Sequence, residues 1–310
     1  MNKSILARGA GENKREFCRF VGCQICPVRV RLDDQYAIHQ RGLFVPPLPI
    51  HRIPVQTGAN CGLFAIVAAA RFLGCDSAGE DALNAELDRL EKADPRTFIG
   101  EVLSVDLLLD LIQGVTADGS PLFTACSLAF SSSAKLSAII QEASRTGAAL
   151  IIPFARPQSY DAYYRLLGQQ VKGTATDAEV AVACRVKEGE ENFQAADAHW
   201  ALINRVDEET GGVVLADSFE DVWGGGHGYE AEFSVKKLAA ANLALDGCFD
   251  WNNFLDAQGR AWGVRDVCGR AYAPSAPRAK NPERLDAVLR AGGRERLDLA
   301  GRLVSLEWGK

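Results

Sequence analysis

The sequence predicts an α+β domain in which a helical half, built around one buried cysteine-bearing helix, faces a mostly antiparallel sheet half. Three features predict it. Residues 61–73, CGLFAIVAAARFL, are apolar on almost every face and stop at Gly74, as a buried central helix with a glycine C-cap would. Between residues 80 and 147, leucine and isoleucine recur at helical spacing. From residue 149 onward, short runs rich in β-branched residues take over.

The first 45 residues mix charges with short apolar pieces and read as an N-terminal arm. Closely spaced prolines in VPPLPIHRIPV then favour extended chain leading into a catalytic-type domain over 46–275. Asn60 stands at the N-cap position of the first helix, which puts Cys61 in its first turn. A second helix is expected over 80–93, with Leu83, Leu87 and Leu90 on one face, ended by Asp94 and Pro95. A third follows Ser104 as N-cap and closes at Gly114. A fourth covers SSSAKLSAIIQEASRTG, with Leu136, Ile139 and Ile140 as its stripe and Gly147 as its stop. Strands are expected at 149–154, 180–186, 200–206 and 213–219, and a helical extension at 276–310.

Composition narrows the function classes. Hydrophobic residues make up 47% and charged residues 24% of the 310, which is ordinary for a folded domain. The net charge of -6 disfavours a phosphate backbone, so no nucleic-acid partner is expected. No apolar run reaches the roughly 20 residues that span a bilayer, and the polar start lacks the apolar core of a secretory signal. A cytoplasmic protein, or one exported without a cleavable signal, is the expectation. Nine cysteines lie scattered through apolar stretches, which suits reduced thiols. Cys18, Cys23 and Cys26 have a metal-like C-x4-C-x2-C spacing, but three ligands do not close a structural site, so no metal or other cofactor is assigned.

The chemistry concentrates on Cys61. Amides and the dipole at a helix start stabilise a thiolate there, although a plain core cysteine is the commoner fate of this residue type. Gln56, in QTGANCG, could be turned by the short loop beside the thiol, where its amide and the Cys61 backbone N–H would hold an oxyanion. Of the four histidines His39, His51, His199 and His227, only His199 opens a clear strand, where an imidazole packed on the helix start could take the thiol proton. The segments flanking DEETGG read as a hairpin. A turn centred on residue 208 sets Asp217 directly opposite His199 on one sheet face, where a carboxylate fixes the imidazole tautomer. Asp221 is the alternative orienter. Gly224, Gly225, Gly226 and Gly228 could form a mobile lip.

The order glutamine, cysteine, histidine, acid resembles papain-like cysteine peptidases, and four stretches are similar to actin maturation proteases, eukaryotic enzymes that trim the N-terminus of actin. These stretches are QTGANCGLFAI, GEVLSV at 100–105, LIIPF at 150–154 and AHWALI at 198–203. They cover about half the chain, and Gln56, Cys61 and His199 fall on motif positions. Asp217 rests on the hairpin register alone. The resemblance implies a papain-like fold and a thiol protease, a hydrolase that works through a thioester without a cofactor. A protein or peptide substrate follows, with the acidic N-terminus of actin as the specific case. Arg156 and Arg205 would be the basic groups to meet such a peptide. The same residues also serve deamidases, transglutaminases and acyltransferases, and a binding module with an inert Cys61 is the remaining alternative.

Overall fold

The computed structural model describes residues 46–56, 60–75, 101–117, 119–207, 210–219, 221–254 and 287–309. The N-terminal arm with its cysteine triplet and the helix expected over 80–93 lie outside the described residues. The helices are α1 (Cys61–Phe72), α2 (Val105–Gly114), α3 (Ser133–Thr146), α4 (Gln158–Val171), α5 (Asp177–Gly189) and α6 (Val235–Leu243). The strands are β1 (Thr116–Ala117), β2 (Ser120–Pro121), β3 (Phe123–Ala129), β4 (Ala149–Ala155), β5 (Ala198–Asp207), β6 (Gly212–Asp217), β7 (Tyr229–Ser234), β8 (Cys248–Asp250), β9 (Arg294–Arg296) and β10 (Arg302–Trp308). The class is α+β. Its main body is a six-stranded sheet in the order β3-β10-β4-β5-β6-β7, with every pair antiparallel.

The helices do not gather in one half, as the sequence suggested, but cover both faces of this sheet. On one face α1 and α2 pack over Ile151, Trp200, Leu202, Ala216 and Val304. On the other, α3, α4, α5 and α6 contribute Leu136, Tyr160, Ala183 and Leu238 to a core with Leu150, Ile152, Ile203, Leu215 and Leu303. Alternate residues of β4 and β10 thus enter different cores, the period of two that a pleated strand imposes. Burial on both faces also explains why β4 reads as an unbroken apolar run rather than an alternating one.

Several local signals act as expected. The Ser104 hydroxyl accepts from the Leu107 N–H to cap α2, and Gly147 takes the left-handed conformation that ends α3. Asn60 occupies the cap position of α1, but its side chain makes no capping hydrogen bond.

Two segments differ from expectation. The strand expected over 180–186 is the middle of α5, where Thr176 and Glu179 form a reciprocal capping box that starts the helix. Val182 and Val186 project into solvent from it, so their β propensity met no sheet to fill. Of the helical extension expected at 276–310, residues 287–290 are helical, but the chain beyond them returns to the main sheet rather than packing outside it. Residues 302–308 form β10, which sits between β3 and β4. Gly292, Gly293 and Gly301 all have positive φ and break the helical pattern that the intervening leucines mimic. Asn242, fully buried, locks this arrangement: its amide donates to the carbonyls of Pro153 and Arg302 while its oxygen accepts from the Gly301 N–H.

Candidate active site

Three chain ends converge. Cys61 begins α1, which packs against β4, β5 and β6; His199 lies at the start of β5 and Asp217 at the end of β6. Gly62 allows the approach, because a Cβ there would sit 2.8 Å from the Val102 side chain and 3.3 Å from the Trp200 ring. Trp200, the neighbour of His199, is buried on the α1 side and donates its indole N–H to the Val102 carbonyl at 2.8 Å. The tryptophan fixes the strand that carries the histidine against the helix that carries the cysteine.

His199 Nε2 lies 2.9 Å from Asp217 Oδ1. That leaves Nδ1 as the ring nitrogen for a second partner, and the Cys61 sulfur is close enough to act on the imidazole. Asp217 is 1% exposed and His199 5%, whereas Cys61 keeps partial exposure and is the member of the group that solvent can reach. Phe154 and Phe219 set ring edges or faces against the imidazole at 5.5 and 6.0 Å between centroids. These walls make an uncompensated charge costly there.

Burial disfavours the imidazolium, but the Asp217 carboxylate and the Cys61 sulfur outweigh it and raise His199 to about 9. Burial likewise pushes Asp217 up, but His199, the Arg156 guanidinium and the Phe219 backbone N–H hold it well below the usual carboxylate range. The two shifts describe one buried ion pair seen from each side.

Asp217 meets His199 by a different register from the regular hairpin. Arg205 pairs with Val214, but Ile203 pairs with Leu215, so Asn204 is an extra residue in β5. Beyond it Leu202 faces Ala216, and the same register carries Asp217 to a position beside Ala201, one diagonal step from His199 on the same face. Without the bulge the register of Arg205 and Val214 would turn Asp217 to the opposite face. Asp221 is not the orienter. Its carboxylate accepts from the backbone N–H groups of Gly224, Gly225 and Gly226, tying down the glycine loop expected as a mobile lip.

Gln56 is tied to the residue after Asp217. Its backbone N–H donates to the Ser218 carbonyl at 2.7 Å, and its side-chain oxygen accepts from the Ser218 hydroxyl at 3.2 Å. With the oxygen end so held, the donor hydrogens of the amide lie at its other end, on the nitrogen. Gly228 makes room for this segment: a Cβ there would meet the Asp217 carbonyl at 2.2 Å and the Pro54 carbonyl at 2.9 Å.

His51 lies exposed in the turn Ile50–Arg52, and His227 contacts the Gly228 carbonyl through Nδ1, so neither belongs to this group. The two arginines expected to meet an acidic peptide are engaged elsewhere. Arg205 pairs with Glu230 at 2.9 Å, and Arg156 is buried between Asp161 and Asp217. Ser218, Asp161 and Tyr229 were not singled out in the sequence. A signal existed for them in Arg156 itself, since an arginine closing a strand as apolar as β4 requires buried partners.

No group of acidic, cysteine or histidine side chains among the described residues is arranged to hold a metal ion, and among the described residues no helix is long and apolar enough to cross a membrane. A surface recess of about 430 Å³ is lined by Asp246, Arg296 and residues 297–300, none of them in the candidate site. A scan against protein-family models finds no match to this chain, and a search of curated proteins finds none either.

Proposed function

We propose that the chain is a cysteine hydrolase of the papain-like kind that cleaves a peptide bond through a thioester on Cys61. The observation that carries this reading is the buried His199–Asp217 pair at 2.9 Å, with a partly exposed Cys61 at a helix start close enough to act on the same imidazole. A structural histidine does not need that combination. Asp217 selects the tautomer, the imidazolium stabilises a thiolate, and the α1 dipole adds to it.

In the proposed sequence the Cys61 thiolate attacks the amide carbonyl carbon, and the oxyanion is held by the Cys61 backbone N–H and the Gln56 amide. The C–N bond then breaks and the amine leaves with the proton that His199 carried. Water attacks the thioester, gives its proton to His199, and releases the carboxylic acid while the thiolate and imidazolium are restored. No cofactor enters these steps. An N-terminal peptide of actin or an actin-like protein is the substrate that the sequence resemblance suggests. With Arg156 and Arg205 both paired to carboxylates, that substrate rests on the resemblance alone.

The test is acylation with p-nitrophenyl acetate followed by intact-mass analysis, then incubation with a peptide library with and without an added primary amine. An acetyl adduct on Cys61, absent in Cys61→Ala, together with cleaved peptides supports hydrolysis. Amine adducts in place of cleaved peptides would assign the thioester to a transferase, and no adduct at all would leave a binding protein.

A further inference from the structure

Behind Asp217 lies a second buried ion system that the proposed chemistry does not use. Arg156, 8% exposed, follows β4, and its backbone N–H donates to the Asp197 carbonyl just before β5. Its guanidinium is ion-paired with Asp217 Oδ2, 3.2 Å from Nε, and with Asp161 Oδ1, 2.7 Å from Nη2, without an aligned hydrogen bond to either oxygen, and it donates a hydrogen bond to the Tyr229 hydroxyl. The plane stacks 3.6 Å over the Phe219 ring, whose other neighbour is His199. Asp161 comes from α4, Asp217 from β6 and Tyr229 from β7.

We propose that Arg156 is a positioning residue for the reactive pair: it holds Asp217 Oδ2 so that Oδ1 stays aimed at His199, and Asp161 balances its charge. This rests on the proposed role of Cys61 and His199 and extends it by one residue. Two features make the assignment specific. The two carboxylate oxygens of Asp217 are divided, Oδ1 to the imidazole and Oδ2 to the guanidinium. The delocalised guanidinium charge lies within ion-pair distance of Asp161 and Asp217 through two different nitrogens, a span that a compact ammonium does not have.

The charges around the cluster are consistent with this. Asp161 is pushed up to about 6 by burial, against the pull of Arg156, and Asp217 adds to the rise. The carboxylates of Asp161 and Asp217 thus repel one another across the guanidinium that separates them. Arg156 also draws down the Asp197 carboxyl, and Arg165 draws down that of Asp161. Removing Arg156 alone would leave two buried carboxylates facing His199, a change costly enough to threaten folding.

The experiment therefore removes charge in balance. Cys61 alkylation by neutral iodoacetamide is measured from pH 3.5 to 8 in Asp161→Asn, in Arg156→Met/Asp161→Asn, and in Arg156→Lys beside the wild type. The acid-side midpoint of the Cys61 rate is the readout. An adjacent guanidinium lowers an aspartate by about 1–3 pKa units, so losing it lets Asp217 protonate, and release the imidazolium, at higher pH. The midpoint in the double variant is expected about one pH unit or more above that of Asp161→Asn. Arg156→Lys, which keeps a charge but reaches one carboxylate, is expected to move it upward from the wild type by a smaller amount. Equal midpoints in either comparison would overturn the positioning role. Failure of the peptidase reading is distinct, because it would appear as wild-type alkylation that does not depend on His199 at all.

Discussion

Asp217 lies one diagonal step across the sheet from His199, and the extra residue Asn204 in β5 is what brings the two onto the same face. The bulge also has a use of its own. Asn204 accepts from the Leu48 N–H at 2.6 Å and donates to the Leu48 carbonyl at 3.0 Å, imitating a strand partner for the segment that runs on to Gln56. One residue thereby sets the face of the acid and anchors the approach of the glutamine.

Asn204→Ala should therefore weaken the fold and the site together. Leaving the Leu48 N–H and C=O unpaired in a buried position costs about 1–3 kcal/mol each, so a loss on the order of 2–6 kcal/mol is expected in urea unfolding. A loss under about 0.5 kcal/mol would mean the anchor carries nothing.

The pH dependence of stability should carry the signature of His199. Its pKa is raised in the folded chain to about 9, so its contribution is fully present below the unfolded value near 6.5 and is lost as pH rises through 9. Thermal unfolding of the wild type should fall across this window, by an amount on the order of 3 kcal/mol at most. Substituting His199→Gln should flatten the curve there; parallel curves for the two proteins would contradict the raised pKa.

Gln56→Ala should separate oxyanion binding from thiol activation. Cys61 alkylation has no oxyanion and should be unaffected, whereas the acylation rate with p-nitrophenyl acetate should fall by about 100- to 1000-fold. Equal losses in both reactions would show that Gln56 holds up the site rather than the oxyanion.

Stopping the chain after Gly301 should abolish cooperative folding. This removes β10, which contributes Leu303 to one core and Val304 and Leu306 to the other and hydrogen-bonds to both β3 and β4. Circular dichroism melting is the check, and a retained sharp transition would contradict the central place of this strand.

That strand marks where the sequence was hardest to read. In residues 294–308 the leucines fall at intervals that suit a helix, and only the sheet partners on both sides decide otherwise. Elements with local stop and start signals were legible: Ser104, Gly147 and the cysteine helix needed no tertiary information. The capping box at Thr176 was equally local, but the valines beyond it drew the reading toward a strand. At the site, Cys61, His199 and Gln56 each stand in a short recognisable string. Asp217 was reached by assuming a regular ladder about residue 208; the hairpin pairs Asp207 with Gly212 instead, a register that alone would turn Asp217 away, and the bulge at Asn204 restores the face. Arg156 was legible as a basic residue and not as a buried one, because its partners come from α4, β6 and β7, which are separate in sequence.

The central claim is that Cys61 and His199 share a proton as an activated pair. It is tested most directly by the pH profile of Cys61 alkylation in the intact protein, comparing wild type with His199→Ala and using the other cysteines as internal controls. The account predicts rapid labelling of Cys61 below about pH 7 that disappears with His199. Labelling no faster than that of an ordinary thiol, with a midpoint near 8.5 and unchanged by the substitution, would contradict it.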